Sequence, residues 1–414
     1  MRDIRHRVFM VGWEYPPHNS GGLGVACEGL TQALADHSAE IFFTLPYTFP
    51  SSVSHMNVIT CQTSADIEEE LKANLPPFLA YDQSIPTLAT SPFTPANIAE
   101  LTTLPQSEIE QRVNYYADEV LTAGRTLRRK YDLVHAHDWM SFPAAIKLKE
   151  KLKKPFIAHV HSTEVDRIPN GHGSHYIAHT EYAGMQAANK VIAVSYFTKR
   201  ILVEKYNIDP KKIVVVHNGV TPAQKLDEVH TQFAKKRPMI VFMGRLTAQK
   251  GAEYFLQLAK AVLKEVPNAL FVVAGHGDQY HSLLFQSAYD QLSASVLFTG
   301  FLRDQQREAL LSRADVFVMP SLSEPFGLVA LEAAQRQTPV IVSHNSGVKE
   351  IMPHAIQADF WDVGLMANKI NQLIEDPQYA QQVIAGQNDD LQHATWQNAA
   401  SNVSTIYRKL LHKR

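Results

Sequence analysis

Short apolar runs alternate with amphipathic helical stretches along the whole chain of 414 residues. This alternation is typical of β-α-β units, in which helices join parallel strands. In the first half of the chain it predicts strands over residues 8–11, 41–45, 133–135, 156–159, 191–194 and 213–216. It predicts a second series over residues 239–243, 270–274, 296–299, 316–319 and 340–342. The chain is therefore predicted to be an α/β protein with two tandem Rossmann-like domains and a cleft between them.

The two series are separated by residues 221–238, a polar and charged segment with prolines at both ends, which is typical of an interdomain linker. We therefore place a first domain at residues 1–220 and a second at residues 221–395. Residues 396–414 carry an amphipathic helix whose apolar stripe is expected to pack on a domain surface, and no chemistry is assigned to it. Residues 46–113, rich in Pro, Ser and Thr, interrupt the alternation; either part of a substrate wall or a surface elaboration fits this insertion.

The composition excludes several classes of protein. An apolar fraction of 45% and a charged fraction of 19% are those of an ordinary globular protein. The net charge of −2 argues against a nucleic-acid partner. Cys27 and Cys61 cannot build a disulfide framework, and no C-x-x-C metal spacing occurs. Because neither a signal peptide nor an apolar run of transmembrane length is found, we expect a cytoplasmic enzyme.

The most informative motif is S-E-P-F-G-L-V-A-L-E-A-A over residues 323–334, directly after a predicted strand. It is expected to open a helix whose first turn carries Pro and Gly but no basic residue. Free backbone N–H groups at a helix start form an anion site. Glu324 and Glu332 bracket that site with seven residues between them. Phosphate binding beside carboxylates suits a ligand with phosphates and many hydroxyls, such as a nucleotide sugar.

Two further motifs suit a diphosphate. Arg245 and Lys250 follow the strand predicted over residues 239–243, at the sheet edge where ligands bind in such folds. Arg would make a forked contact and Lys would act as a point charge. Glycines at 21, 22 and 24 follow the first strand and allow close approach of the backbone to a ligand. For each motif the alternative is an ordinary solvent-exposed loop.

Histidines follow two consecutive strands, His135 and His137 the first and His159 and His161 the second. An H-x-H pair is typical of metal sites, but no third ligand with suitable spacing stands out, so no metal is expected. Together with Asp138, these side chains suit hydrogen bonds to sugar hydroxyls. A separate G-x-G turn ending at residue 277 lacks the rest of a dinucleotide fingerprint, which argues against a nicotinamide cofactor.

Together these motifs resemble the retaining nucleotide-sugar glycosyltransferases of glycosyltransferase family 4, which have the GT-B fold of two Rossmann-like domains facing each other across a deep cleft. The specific parts are E-x7-E at 324–332, G-R-L-T-x-x-K-G at 244–251 and G-G-L-G at 21–24. Within the family, W-E-Y-P-P at 13–17 and H-D-W at 137–139 are most similar to the glycogen and starch synthase branch.

The resemblance implies a role for each matching residue. Arg245 and Lys250 would hold the donor diphosphate, and Glu324 would lie at the donor sugar. Glu332 would accept hydrogen bonds from the ribose hydroxyls, and His161 would lie at the reacting sugar. The implied catalytic residues are His161, Arg245, Lys250 and Glu324. Further donor contacts are implied for Gly21, Gly22, Gly277, Phe326, Gly327, Leu328 and Val329, and contacts with the acceptor or sugar for Glu14, Tyr15 and Asp138.

The implied function is retaining transfer of a hexose, with glucose favoured, from a UDP- or ADP-sugar to a growing α-1,4-glucan, without a metal or other cofactor. The chain has His161-Ser-Thr-Glu where the glycogen synthase branch often has His-Asn, which leaves the acceptor and the donor sugar open. The first alternative keeps the chemistry and changes the acceptor to a small sugar, a lipid-linked sugar or a polysaccharide precursor. Less favoured are a peripheral membrane contact through basic residues over 125–154, a sugar-nucleotide epimerase and an inactive glycan-binding scaffold.

Overall fold

The structure is a computed structural model, and it describes residues 6–18, 21–37, 39–47, 53–60, 104–169, 171, 173–222 and 237–412. Most of the predicted linker and of the Pro-rich insertion lies outside these ranges. Within the described residues the chain forms two parallel sheets, one of seven strands and one of six. The second predicted series of strands forms the second sheet, as the apolar pattern predicts.

The first sheet has the strand order β3-β2-β1-β4-β5-β6-β7. Its strands are β1 His6–Val11, β2 Ala39–Leu45, β3 Asn57–Thr60, β4 Leu133–His137, β5 Phe156–Val160, β6 Lys190–Ala193 and β7 Ile213–Val215. Its helices are α1 Gly22–Asp36, α2 Gln106–Thr126, α3 Phe142–Leu152, α4 Glu164–Arg167, α5 His175–Ala187 and α6 Tyr196–Glu204. The central strands β4 and β5 are buried along their whole length, because helices cover both faces of a parallel sheet.

The second sheet has the order β10-β9-β8-β11-β12-β13. Its strands are β8 Met239–Met243, β9 Leu270–Ala274, β10 Val296–Gly300, β11 Val316–Met319, β12 Val340–Ser343 and β13 Ile356–Ala358. The helices that follow β8 are α7 Ala252–Val262, α8 Tyr280–Tyr289, α9 Asp304–Arg313, α10 Leu328–Gln335, α11 Val363–Glu375 and α12 Pro377–Leu391. Apolar clusters on the two faces of this sheet form the core of the second domain.

One further helix, α13 Trp396–Leu411, follows the second domain in the chain but packs on the first. The backbone of Val220 donates a hydrogen bond to Ala394 O at 3.0 Å, so the returning segment lies beside the end of the first domain. Trp396 packs against α1 at Gly29, where an added Cβ atom would come within 2.2 Å of the indole. Only glycine leaves room for this contact, which anchors the helix on the first domain.

The edge at which a ligand is expected to bind lies at the same point in the strand order of each sheet. Strand β1 lies between β2 and β4, and β8 lies between β9 and β11, so each sheet reverses its strand order next to its first strand. Ligands bind at such switch points, beyond the carboxyl ends of the strands. The glycine loop follows β1, Asp138 follows β4, Arg245 follows β8 and Glu324 follows β11. The fold therefore brings the motifs predicted to bind a ligand to the edges where ligands are expected.

The predicted strands are confirmed, with ends that differ by at most two residues. Two short edge strands, β3 and β13, were not predicted. Among the described residues no helix is both long and apolar enough to cross a membrane.

Candidate active site

An ion pair lies at the centre of the second-domain edge. Lys250 ends a 3-10 turn, Ala248–Lys250, and its Nζ lies 2.6 Å from Glu324 Oε2. The hydroxyl of Ser321 donates to the same oxygen at 3.3 Å. The Glu324 side chain is 7% exposed, and that of Lys250 is 24% exposed. The Glu324 carboxylate thus holds the Lys250 ammonium group at the edge of the cleft. An anionic ligand there would compete with Glu324 for this ammonium group.

Glu332, on α10, offers an acceptor to a ligand. Its Oε1 lies 3.4 Å from Arg307 Nη1, whereas Oε2 is buried and has no hydrogen-bond partner among the described residues. Burial raises the pKa of this carboxyl, and the Arg307 charge partly opposes the shift. A buried unpaired oxygen is costly, so a ligand hydroxyl that donates to Oε2 would be bound favourably.

The loop between β11 and α10 is held by backbone bonds to the segment after β12. Glu324 N donates to Asn345 O at 2.8 Å, and Val348 N donates to Phe326 O at 2.7 Å. The Phe326 ring is buried in the second-domain core and its carbonyl accepts from Val348 N, so its contact with the donor stays a prediction. Gly327 has φ 111°, a conformation that favours glycine, and no side chain caps the helix that begins at Leu328. The first N–H groups of α10, including those of Leu328 and Val329, are therefore left without a side-chain cap, as the predicted anion site requires.

The two domain edges meet at the glycine loop. A Cβ atom added to Gly21 would lie 3.3 Å from Nη2 of Arg245, and one added to Gly22 would lie 3.6 Å from Cδ1 of Leu328. An exposed guanidinium and an uncapped helix start thus face backbone from the opposite domain. Gly277 lies against the loop that carries Arg245, because its Cβ would be 2.4 Å from Leu246 O. These predicted donor residues come together across the domain boundary.

Asp138 organises the first-domain edge. Its Oδ1 accepts hydrogen bonds from the backbone N–H of His161 at 2.7 Å and of Ser162 at 3.4 Å. Burial raises the pKa of this carboxyl to about 7, and the hydrogen bond from His161 N opposes the shift. Its φ of 58° lies in the left-handed region, which is strained for a non-glycine residue. The carboxylate holds the loop after β5, and its contact with a sugar hydroxyl stays a prediction.

Strand pairing corrects one sequence-based inference, that the His135 and His137 pair lacks a third partner. Strand β5 brings His159 alongside, so that one nitrogen from each of the three rings lies within 4.8 Å of the others. The rings of His135 and His137 are stacked at 19°. Ring-nitrogen lone pairs lie in the ring plane, so stacked imidazoles do not direct them at one ion. That no metal binds here stays a prediction.

The predicted acceptor residues Glu14 and Tyr15 lie in the loop after β1 and are buried, at 4% and 2% exposure. The Tyr15 ring packs on Phe43 with centroids 5.5 Å apart, and its hydroxyl lies 3.3 Å from His55 Nε2. This part of the predicted site is therefore anchored in the first-domain core, and its contact with an acceptor stays a prediction.

Sequence reasoning missed the contacts that join the domains beside the site. Ser323 donates to Asp166 Oδ1 at 2.7 Å across the boundary. Glu350 accepts from the N–H groups of Tyr196 and Phe197, each at 2.8 Å, and lies 2.7 Å from His217 Nε2. Although burial opposes ionisation, these hydrogen bonds lower the pKa of Glu350. The only sequence signal was that Ser323 directly precedes Glu324.

Two family models match the chain in succession. The model described as Glycosyltransferase Family 4 matches residues 86–224, and the model described as Glycosyl transferases group 1 matches residues 224–389. The boundary between the two matches falls where the sequence predicts the linker.

Similar proteins extend the match to nearly the whole chain. An uncharacterised glycosyltransferase of Methanocaldococcus jannaschii is 27% identical over 424 aligned residues, covering 97% of this chain and 98% of that protein. The glycogen synthase of Mycobacterium tuberculosis is also 27% identical, covering 97% of this chain and 94% of its own.

Solved structures show the same fold. Sucrose-phosphate synthase from Thermosynechococcus elongatus superposes with a TM-score of 0.78 at 19% identity, covering 99% of this chain and 100% of that one. Anabaena HepE in complex with UDP-glucose superposes with a TM-score of 0.69 at 16% identity, covering 97% of this chain and 99% of that one. The GT-B fold predicted from the motifs is confirmed. The chain is a transferase and belongs to the GT-B glycosyltransferases of family 4, with a glycogen synthase among its relatives.

Proposed function

We propose that the protein transfers glucose from UDP- or ADP-glucose to the non-reducing end of an α-1,4-glucan, with retention of configuration. The observation that supports the donor class best is the clamp at the domain boundary, where Arg245 meets Gly21 and the uncapped start of α10 meets Gly22. The Arg245 charge and the uncapped N–H groups of α10, which both face the glycine loop, suit a diphosphate. The glucose assignment draws on a glycogen synthase relative and a neighbour solved with UDP-glucose.

The nucleotide-sugar donor would take over contacts that the site residues now make with one another. Its diphosphate would take Lys250 from Glu324, which would free the Glu324 carboxylate for a hydroxyl of the transferred sugar. The unpaired Oε2 of Glu332 would accept a ribose hydroxyl. The first exchange replaces one ion pair with another, and the second satisfies a buried acceptor, so the donor would meet groups that are already in place.

The proposed chemistry follows from the placement of charge. As the bond between sugar and phosphate breaks, negative charge grows on the leaving diphosphate, and Arg245 and Lys250 stabilise it, so the proposal requires no metal. The acceptor hydroxyl attacks from the face that the diphosphate leaves, and a phosphate oxygen takes its proton. Closure of the domains would exclude water and limit hydrolysis of the donor. His161 would lie against the oxocarbenium-like sugar; burial lowers the pKa of its ring, so no second positive charge opposes the reaction.

The proposal is tested by a screen of donors and acceptors with mass spectrometric detection. UDP- and ADP-glucose are each offered to glycogen, maltooligosaccharides and simple sugars. We expect maltooligosaccharides to gain hexose units with one of the two donors, and anomer-specific glucosidases to identify the new bond as α. If maltooligosaccharides gain nothing while another acceptor is glycosylated, the glucan assignment is wrong and the transferase assignment stands.

A lipid-linked acceptor is the main alternative, and it calls for a basic surface on the first domain. Several of the basic residues considered are engaged within the protein: Lys147 pairs with Asp118 at 2.6 Å, and Lys149 donates to Ala187 O at 2.6 Å. These contacts favour a structural role for this surface. Co-sedimentation with anionic vesicles at physiological salt would favour the alternative.

A further inference from the structure

Four imidazoles form a buried block beside the proposed site. His135 and His137 lie on β4, His159 lies on β5 and His161 directly follows it. Alternate residues of a strand share a face, and the register pairs His137 with His159. The two H-x-H sequences are thereby placed side by side on one face of the sheet.

The block consists of two hydrogen-bonded pairs, one stacked on the other. In the lower pair, His135 Nε2 lies 3.1 Å from His159 Nδ1, and in the upper pair, His137 Nδ1 lies 3.0 Å from His161 Nε2. The centroids of His135 and His137 are 4.5 Å apart, and those of His159 and His161 are 4.2 Å apart. Each ring is thus fixed by one imidazole in its own layer and by another above or below it.

The lower pair is tied to helix α13. The hydroxyl of Tyr407 lies 2.6 Å from His135 Nδ1, and burial raises the pKa of this hydroxyl, so it keeps its proton. A neutral phenol can also accept, but the described residues offer the Tyr407 O–H no other acceptor, so Tyr407 donates to Nδ1 and the proton of neutral His135 is on Nε2. That N–H in turn donates to His159 Nδ1. The lower pair consequently has one direction, set by the tyrosine.

The upper pair has no corresponding donor among the described residues. Its outer nitrogens, His137 Nε2 and His161 Nδ1, are buried without a hydrogen-bond partner there. His161 is therefore held through one ring nitrogen only, by His137. The upper pair depends on the lower one for its position, because its rings stack on that pair.

We propose that Tyr407 and the lower pair hold the His161 ring in one orientation, so that helix α13 positions a residue of the active site. The inference rests on the proposed function only for the role of His161 at the reacting sugar. Tyr407, His135 and His159 are then positioning residues, which act on the reaction through His161 without touching the substrate.

The first test is whether Tyr407 and the lower pair orient the His161 ring. NMR of the whole protein with ¹⁵N-labelled histidine rings reports the protonated nitrogen of each ring. Tyr407→Phe removes only the hydroxyl. Tyr131→Phe is the matched control, because Tyr131 is equally buried in the same domain and its hydroxyl donates to Gly124 O at 3.2 Å. We expect wild-type His135 and His159 to be protonated at Nε2, and Tyr407→Phe alone to shift the ring signals of His161. Unshifted His161 signals in that variant, or a proton on Nδ1 of wild-type His135, would overturn the inference.

The functional half is tested with the donor and acceptor that the screen identifies. Tyr407→Phe should lower kcat about tenfold, the loss expected when a catalytic group is misplaced by a fraction of an ångström. It should also move the acid limb of the kcat profile to higher pH, because the lost O–H favoured the neutral imidazole. Two other titratable groups face the block. His6 lies with its ring 5.8 Å from that of Tyr407, and Asp138 accepts from His161 N; neither is altered by this substitution. Nucleotide diphosphate should still bind one per chain, which shows that the variant is folded.

Substitution within the upper pair completes the test. His137→Asn keeps an amide near the position of Nδ1 and should retain more activity than His137→Leu. A wild-type protein that transfers no sugar, yet shows the expected NMR shifts, would refute the proposed function and leave the positioning inference standing. A wild-type protein that transfers sugar, with Tyr407→Phe equal to Tyr131→Phe in kcat and pH profile, would refute the inference alone.

Discussion

The two edges of the cleft differ in electrostatic character. On the first domain, burial lowers the pKa of each of the four block histidines and raises that of Asp138 to about 7, so neutral forms are favoured. On the second domain, Lys250 pairs with Glu324 and Arg307 pairs with Glu332. Ion pairs at a cleft edge can exchange partners with a charged ligand, whereas neutral buried groups can lie against a sugar without a further desolvation cost. The difference suggests that charge recognition belongs to the second domain and sugar positioning to the first.

The largest effect is expected in acid, because the four buried histidines of the first-domain edge lose stability together. Below the ordinary histidine pKa of 6.5, these histidines bind protons in the unfolded chain but stay neutral in the folded protein. The free energy of unfolding therefore decreases as the pH falls. For His137, whose pKa is lowered to about 3, linkage predicts a loss of about 2 kcal/mol between pH 7.5 and pH 5. Urea unfolding followed by tryptophan fluorescence measures it, because three of the four tryptophans, Trp13, Trp139 and Trp396, pack in the first domain.

Variants identify the source of the acid loss. His159→Leu removes one buried ring and should flatten the dependence of the urea midpoint on pH, whereas His281→Gln, at an exposed position, should leave it unchanged. An equal pH dependence in wild type and His159→Leu would show that the histidine block does not cause the loss.

Lys250→Ala tests whether the second-domain edge recognises the charge of the donor. Removing a charge contact worth about 3 kcal/mol in the transition state should cut transfer by two or more orders of magnitude. Lys260→Ala is the control, since Lys260 forms an exposed pair with Asp290 at 2.8 Å on the same domain. Steady-state transfer rates give the comparison. Near-normal turnover of Lys250→Ala would remove Lys250 from the mechanism.

Glu332→Gln should act on binding more than on chemistry. The loss of a charged acceptor for a donor hydroxyl is worth about 1.5 kcal/mol, which raises the donor KM about tenfold with kcat nearly unchanged. Glu308→Gln, which removes an ion-pair partner of Arg336 on the same face, serves as the control. The ribose assignment would be wrong if the two variants had the same donor KM.

Asp138→Asn should have the smallest effect. The folded carboxyl has a pKa of about 7, so the folded state holds an extra proton between pH 3.8 and about 7, and stability falls as pH rises through that range. The amide still accepts from His161 N without carrying a charge. We expect a gain of about 1 kcal/mol at pH 8, because weaker hydrogen bonds to the amide offset part of the relief. A loss of stability at pH 8, measured by urea unfolding, would contradict the assignment of a buried penalty to this carboxyl.

Most of the fold could be predicted because buried parallel strands are short apolar runs that stand out between helices. The observed limits of β8, β9 and β11 coincide with those predicted. The strands that were missed, β3 and β13, lie at sheet edges, where backbone pairing rather than an apolar pattern makes the strand. β3 also lies within the Pro-rich insertion, whose composition argues against regular structure.

The candidate site was less predictable, since side-chain partners depend on register and on distant parts of the chain. The repeated H-x-H spacing at the ends of consecutive strands was a readable sign that two pairs of rings share a face. Tyr407, however, is 272 residues from His135, and nothing in the sequence connects the two. The pairing of Lys250 with Glu324 likewise needed the order of β8 and β11 in the sheet.

Helix α13 also constrains how the chain is made. Its apolar face contributes Trp396, Val403 and Tyr407 to the core of the first domain, yet it is encoded after the entire second domain. Domains usually fold in order as they leave the ribosome. Here the first domain emerges early but cannot finish its core until the second has been synthesised. Completion of the fold is thereby delayed until both halves of the clamp exist.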